Sequence, residues 1–156
     1  MDMSEAEWEE VMNINLKSVF LGSKIAFSYM RDQKKGVILN AASFASLIPS
    51  AGSGAYAVSK VGISWLTKVL AAELAPYNIR VNGYIPGLIK TDITEGVIEE
   101  NEERFASQVA LNRLGVPEDL ADGIVFLASD AAAYITGTHL EISGGKLCVQ
   151  NPHYAW

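Results

Sequence analysis

The run Val37-Ile38-Leu39-Asn40-Ala41-Ala42 is short, apolar and sharply bounded, by Lys34-Lys35-Gly36 before it and by a Ser-, Gly-, Ala- and Pro-rich stretch after it. That length and composition suit a strand covered on both faces, which is how strands sit inside a parallel sheet. Parallel pairing constrains the rest of the chain, because each neighbouring strand must be reached by a crossover of a dozen or more residues. The sequence supplies such crossovers. Ser4 and Glu7 form a capping box, and Trp8, Val11, Met12, Leu16, Val19, Phe20, Phe27 and Met30 then recur at mostly helical spacing, predicting one long helix that ends near Gln33.

After the strand, Val58, Ile63, Leu66, Val69, Leu70 and Leu74 mark a second long helix from Ala55 to about Ala75, stopped by Pro76-Tyr77-Asn78. Residues 79–85 read as a second strand closed by Pro86-Gly87. An acidic, weakly periodic segment from Thr91 to about Gln108 reads as a mobile helical excursion. Pro117 at a first helical position, with Glu118 and Asp119 behind it, opens a third helix that ends near Ser129. Residues 138–142 form the last strand, ahead of Gly144-Gly145. Helix and strand alternate three times, so the expectation is an α/β fold with a parallel sheet and right-handed crossovers, in a single domain over residues 1–156.

Composition narrows the function. A formal charge of −6 with no cluster of Lys and Arg gives little electrostatic support for a nucleic-acid or anionic-membrane partner. No apolar stretch reaches the length of a membrane span, and the acidic N-terminus is no signal peptide. Cys148 has no second cysteine to pair with, which excludes an intrachain disulfide framework and a multi-thiolate metal site, and leans toward a reducing, cytoplasmic setting. His139 and His153 lack metal-ligand spacing, so no metal is expected.

Tyr56 and Lys60 stand four apart at the start of the second helix, on one face and within reach of each other. Alone, such a pair also describes solvated helix neighbours. Its context sharpens it: Ser43 follows the C-terminal end of the buried strand, where α/β sheets place their ligands, and Tyr56 opens the next helix. A cation beside a phenol favours the phenolate, and a serine hydroxyl can hold a substrate oxygen in line with it. The set suits giving or taking a proton at a carbonyl or an alcohol.

With these residues in view, the chain resembles the short-chain dehydrogenase/reductase family, in particular its members similar to 3-oxoacyl-carrier-protein reductase. Tyr56-Ala57-Val58-Ser59-Lys60 matches Tyr-x-x-Ser-Lys, Ser43 matches the serine thirteen residues earlier, and Asn15-Leu16-Lys17-Ser18-Val19-Phe20 matches Asn-Leu-x-x-x-Phe. Asn82, Pro86-Gly87 with Thr91, the run from Arg113 to Glu118, and Tyr134-Ile135-Thr136-Gly137 extend the match along the chain. The resemblance implies a catalytic set of Asn15, Ser43, Tyr56 and Lys60. Tyr56 would be the general acid or base, Lys60 would depress its pKa and hold the nicotinamide ribose, Ser43 would bind the carbonyl oxygen, and Asn15 would hold a relay water. Tyr56, Lys60, Pro86, Gly87, Ile89 and Thr91 would bind NAD or NADP. The substrate would be a small carbonyl or alcohol, and the first two long helices would form a homo-oligomer interface.

Other positions have plainer readings. Asn82 is expected to brace backbone, Gly87 to serve a turn, and Glu99, Glu100, Glu102 and Glu103 to form a solvated face, although in the family this segment often covers substrate. Ser143 stands where many relatives carry Asp.

The glycine-rich turn that lets backbone approach a dinucleotide pyrophosphate is missing, since no Gly-x-x-x-Gly-x-Gly occurs. The resemblance therefore implies the C-terminal portion of a Rossmann-type doubly wound sheet, three strands with their helices and without the first four strands. Such a piece would carry an open strand edge and uncovered helix faces, and would associate or aggregate alone. The alternative reading is a non-catalytic truncated fragment or oligomerisation module.

Overall fold

A computed structural model describes residues 2–92, 96 and 101–156. Three strands, β1 (Gly36–Ala41), β2 (Ile79–Pro86) and β3 (His139–Ile142), form one parallel sheet in the order β1-β2-β3. Around them lie α1 (Glu5–Met12), α2 (Ser18–Gln33), α3 (Gly54–Leu74), the short α4 (Glu102–Ala106) and α5 (Pro117–Ala128). The chain is thus an α/β protein with a Rossmann-like sheet.

The first helix departs from the regular periodicity expected of it. α1 and α2 are joined by a single π-helical stretch, Asn13–Lys17, that carries Asn15. The capping box at its start is present: Ser4 N donates to Glu7 Oε2 at 2.7 Å and Glu7 N to Ser4 Oγ at 3.3 Å. α2 ends where Lys34 takes a left-handed conformation, φ 47°.

The core follows from strand alternation. Ile38 of β1 and Ile79 and Val81 of β2 point to one face, where Ala71 and Leu74 of α3 and Phe27 and Met30 of α2 cover them. Phe27 meets Tyr77 edge-on, with ring centroids 5.0 Å apart. On the same face a buried amide–hydroxyl pair ties strand to helix, as Asn40 Nδ2 donates to Thr67 Oγ1 at 3.0 Å. The opposite face belongs to α5, whose buried Leu127 marks its inner side. Arg80 points there and donates to the carbonyls of Leu127 at 2.9 Å and Ser129 at 3.0 Å, satisfying the end of α5 and placing a cation at its negative pole. Asn82 braces backbone as expected, donating to Ile135 O at 2.8 Å and accepting from Thr138 N at 3.2 Å.

One expectation about the sheet needs correction. The run from Val37 does not lie inside the sheet: among the described residues β1 is an edge strand paired only with β2, and Val37 and Leu39 are half-buried. An open edge beside apolar strand residues is what the sequence implied for a partial sheet. Of the excursion after Thr91, Gln108 and the helical turn of α4 are described, whereas residues 93–95 and 97–100, including Glu99 and Glu100, lie outside the described residues. No helix among the described residues is long and apolar enough to cross a membrane.

Candidate active site

Ser43, Tyr56 and Lys60 are organised by the C-terminal end of β1. The strand stops at Ala41, and Ala42 N still pairs with Tyr84 O at 3.0 Å. Ser43 is extended, buried to 5% exposure, and its Oγ accepts from Ala45 N at 3.2 Å, capping the short turn Phe44–Ser46. A hydroxyl that accepts one bond still has its O–H to donate.

Tyr56 and Lys60 lie one turn apart in the first part of α3, and the Lys60 ammonium stands 5.7 Å from the Tyr56 ring centroid. Lys60 Nζ also donates to Ala41 O at 3.1 Å, so the helix is pinned to the strand end two residues before Ser43. Burial holds the Lys60 pKa below its ordinary value, because a half-buried ammonium loses hydration. Tyr56 is 41% exposed, so its phenol ring is open to an incoming molecule.

Asn15 reaches this cluster through Ser59. Its Nδ2 donates to Ser59 Oγ at 3.1 Å, and Ser59 Oγ in turn donates to Tyr56 O at 2.7 Å. Ser59 is fully buried, which fixes the contact between the π stretch and α3. Gly62 permits it, since a Cβ there would stand 2.7 Å from Leu16 Cδ2. Sequence reading named Asn15 and missed its partner. The signal available was the serine in Tyr-x-x-Ser-Lys.

Pro86 closes β2, and Gly87 N donates to Ile142 O at 2.9 Å, tying the following loop to β3. Gly87 is a close-approach residue rather than a turn residue: a Cβ would lie 2.6 Å from Ser143 Cα. Ile89 is buried and bridges Gly115 in parallel, flanked by Lys90 N to Gly115 O and Gly115 N to Leu88 O, both 2.9 Å. Its side chain turns toward Gly115, where a Cβ would meet Ile89 Cδ1 at 2.5 Å. Thr91 is exposed beyond it. The structure therefore gathers Asn15, Ser43, Tyr56 and Lys60 at the end of β1, and sets Pro86, Gly87 and Ile89 at the end of the adjoining strand.

The loop is held from behind by Arg113, whose guanidinium bonds both Asp119 carboxylate oxygens at 2.7 and 2.8 Å while Asp119 Oδ2 accepts from Val116 N at 2.9 Å. Those donors hold the Asp119 carboxyl well below the usual carboxylate range. Ser143 donates to Glu141 Oε1 and accepts from Lys146 N at 3.2 Å.

A three-stranded parallel sheet with Ser43 and Lys60 at the end of β1 and Tyr56 beside Lys60 defines a Rossmann-like α/β class. Comparison with known proteins makes the assignment specific: residues 1–146 match the family model described as Enoyl-(Acyl carrier protein) reductase, and the chain belongs to the short-chain dehydrogenase/reductase family, in its FabG-like branch. It is 43% identical to the 3-oxoacyl-[acyl-carrier-protein] reductase FabG of Thermotoga maritima over 143 residues, 92% of this chain and 58% of that protein. The FabG of Vibrio cholerae is 39% identical over 149 residues, covering 96% and 61%. Among solved structures, one from Agrobacterium tumefaciens provisionally named a gluconate dehydrogenase superposes with a TM-score of 0.91 at 33% identity, covering 95% of this chain and 59% of that one. One from Sinorhizobium meliloti, provisionally named a short-chain alcohol dehydrogenase, gives 0.89 at 37% identity, covering 94% and 59%. The chain spans about three-fifths of the length of the relatives it matches.

Proposed function

We propose that this chain carries the catalytic machinery of an NAD(P)-dependent reductase that interconverts a carbonyl and a secondary alcohol. The observation that carries this reading is the Lys60 ammonium, bonded to Ala41 O at the strand end and 5.7 Å from the Tyr56 ring. In reduction Tyr56 gives its phenolic proton to the substrate oxygen, and in oxidation the phenolate takes it back. Lys60 favours that phenolate by its charge. Ser43 donates to the same substrate oxygen and sets its direction. Asn15, through Ser59, holds the turn of α3 that presents Tyr56, and positions the relay behind Lys60.

The residues present fit the nicotinamide half of such a cofactor. Lys60 and Tyr56 would hold the ribose, and Pro86, Gly87, Ile89 and Thr91 would form the loop on the carboxamide side. Gly87 already stands where a Cβ would strike Ser143, so loop and strand close tightly beside that site. When bound, the nicotinamide supplies or accepts the hydride. The pyrophosphate half has no glycine-rich cradle in this sequence. The single-domain reading over residues 1–156 follows from the same division, with the catalytic half of the fold on one chain. Free Cys148 agrees with a cytoplasmic setting.

A second copy of the chain is the partner we assign to the outer faces of α2 and α3, where Phe20, Ile25, Tyr29, Val61, Trp65 and Val69 are exposed. Light scattering tests this: a defined oligomer that Trp65→Glu dissociates supports it, and a monomer at all concentrations removes it.

The decisive assay follows NAD(P)H oxidation with a panel of ketones and 3-oxoacyl thioesters. Tyr56→Phe should lower the rate about 10²- to 10⁴-fold, the range for loss of a positioned general acid. A rate unchanged by Tyr56→Phe overturns the assignment.

A further inference from the structure

Behind α4 the last residues of the chain fold back to form a concavity of about 400 Å³, lined by Arg104, Ser107, Gln108, Lys146, Gln150 and His153 together with Val149, Asn151 and Pro152. Its far wall, residues 147–156, lies beyond the stretch that the family model matches. That wall is built rather than trailing. Pro152 is buried, Asn151 turns the chain with φ 53°, and Trp156 Nε1 donates to Ala110 O at 3.2 Å, closing the segment back onto the residues after α4.

The lining has a definite chemistry. Arg104 on α4 and Lys146 after β3 supply two cations, His153 a ring N–H, and Ser107, Gln108, Gln150 and Asn151 neutral polar groups. Among the described residues that line it, none is acidic. Of the two acidic residues of α4, Glu102 is paired with Lys90, and Glu103, next to Arg104 in sequence, does not line the concavity. Lys146 Nζ donates one of its three hydrogens to Gln108 Oε1, which aims the ammonium and leaves two donors. Burial costs that ammonium hydration and lowers its pKa, a cost that an anion beside it would offset. Converging cationic and polar donors without a competing carboxylate suit a tetrahedral oxyanion, and the volume exceeds what phosphate alone fills.

We propose that this concavity is a binding site for a phosphate group, borne by a small polar molecule or free as inorganic phosphate. It shares no lining residue with the Tyr56 cluster, so it stands or falls independently of the reductase reading. Calorimetric titration of the purified chain with glycerol 3-phosphate and with inorganic phosphate, at fixed ionic strength in chloride, tests it. Binding should weaken at least about tenfold in Lys146→Gln and in Arg104→Gln, the effect of losing one charge-assisted contact. It should be unchanged in Lys24→Gln, a lysine on the outer side of α2, and in Tyr56→Phe. A tighter constant for glycerol 3-phosphate assigns the site to a phosphorylated molecule, and equal constants assign it to inorganic phosphate. Either pattern supports the site. Absence of binding at tens of millimolar, or equal weakening by Lys24→Gln, overturns it. Arg104→Lys guards against misfolding: it keeps the charge and should retain most of the affinity, and if it binds no better than Arg104→Gln while melting normally, charge is not what holds the ligand.

Discussion

The Lys60 ammonium donates a 3.1 Å hydrogen bond to the carbonyl oxygen of Ala41, the last residue of β1. One interaction thereby fixes both the height of α3 over the sheet and the position of the charge that faces Tyr56. Lys60→Met should keep the stem's packing and remove the charge. Turnover in the NAD(P)H assay should fall at least about 100-fold, while the melting temperature changes far less. Equal losses of rate and stability would make the lysine a structural strut alone.

Gly87 has no room for a side chain. Its hypothetical Cβ stands 2.6 Å from Ser143 Cα and 2.9 Å from Ser143 O, and backbone cannot swing aside as a side-chain tip can. Gly87→Ala should therefore destabilise the chain by about 1–3 kcal/mol, the usual range for overpacking, and urea titration reads the shift in midpoint directly.

Thr67 and Asn40 form a buried polar pair between α3 and β1. Thr67→Val keeps the shape and deletes the acceptor, leaving the Asn40 amide unpaired at a cost of about 1–3 kcal/mol. The double variant Asn40→Leu/Thr67→Val should recover part of that loss, because both polar groups then leave together. A double variant as unstable as the sum of the two single ones would show that the pair's geometry matters less than its packing.

His139 gives the fold a pH dependence with a definite sign. Its ring lies against Gly83, where a Cβ would stand 2.3 Å from Cδ2, and its Nε2 is buried without a hydrogen-bond partner among the described residues. Burial, with the Lys68 charge on α3 adding to it, lowers its pKa below the ordinary 6.5. The unfolded chain then binds the proton more readily than the folded one. Stability should fall as pH drops below about 6.5 and level off once the folded-state pKa has been passed. Melting curves between pH 7.5 and 4.5 should show this slope, and His139→Gln should flatten the part of it that begins near 6.5.

The crossover pattern, the three strands and the ends of α3 and α5 were legible in the sequence because each rests on local signals: an apolar run, a stop at Pro76, and Pro117 at a first helical position. The Tyr56–Lys60 spacing was equally local. Contacts that join distant segments were not. Asn15 bonds Ser59 across 44 positions, and Arg80 reaches Leu127 across 47. Spacing rules carry no information at that range. Gly87 was misread for a related reason, since the atom that excludes its side chain belongs to Ser143 on another strand. The strand at Val37 was read as interior from its composition, which reports how apolar a strand is and not how many neighbours it has.

The π stretch at Asn13–Lys17 carries a consequence for how the chain tolerates change in length. An α-helix turns about 100° per residue, so a segment closed by wider hydrogen-bonded rings offsets everything beyond it in phase. Removing one residue from this stretch would allow an unbroken α-helix, at the cost of rotating α1 by roughly that angle relative to α2. Leu16 would leave the notch at Gly62, and Asn15 would leave Ser59. Substitutions in this stretch act on one contact at a time, whereas a single deletion would rephase an entire surface.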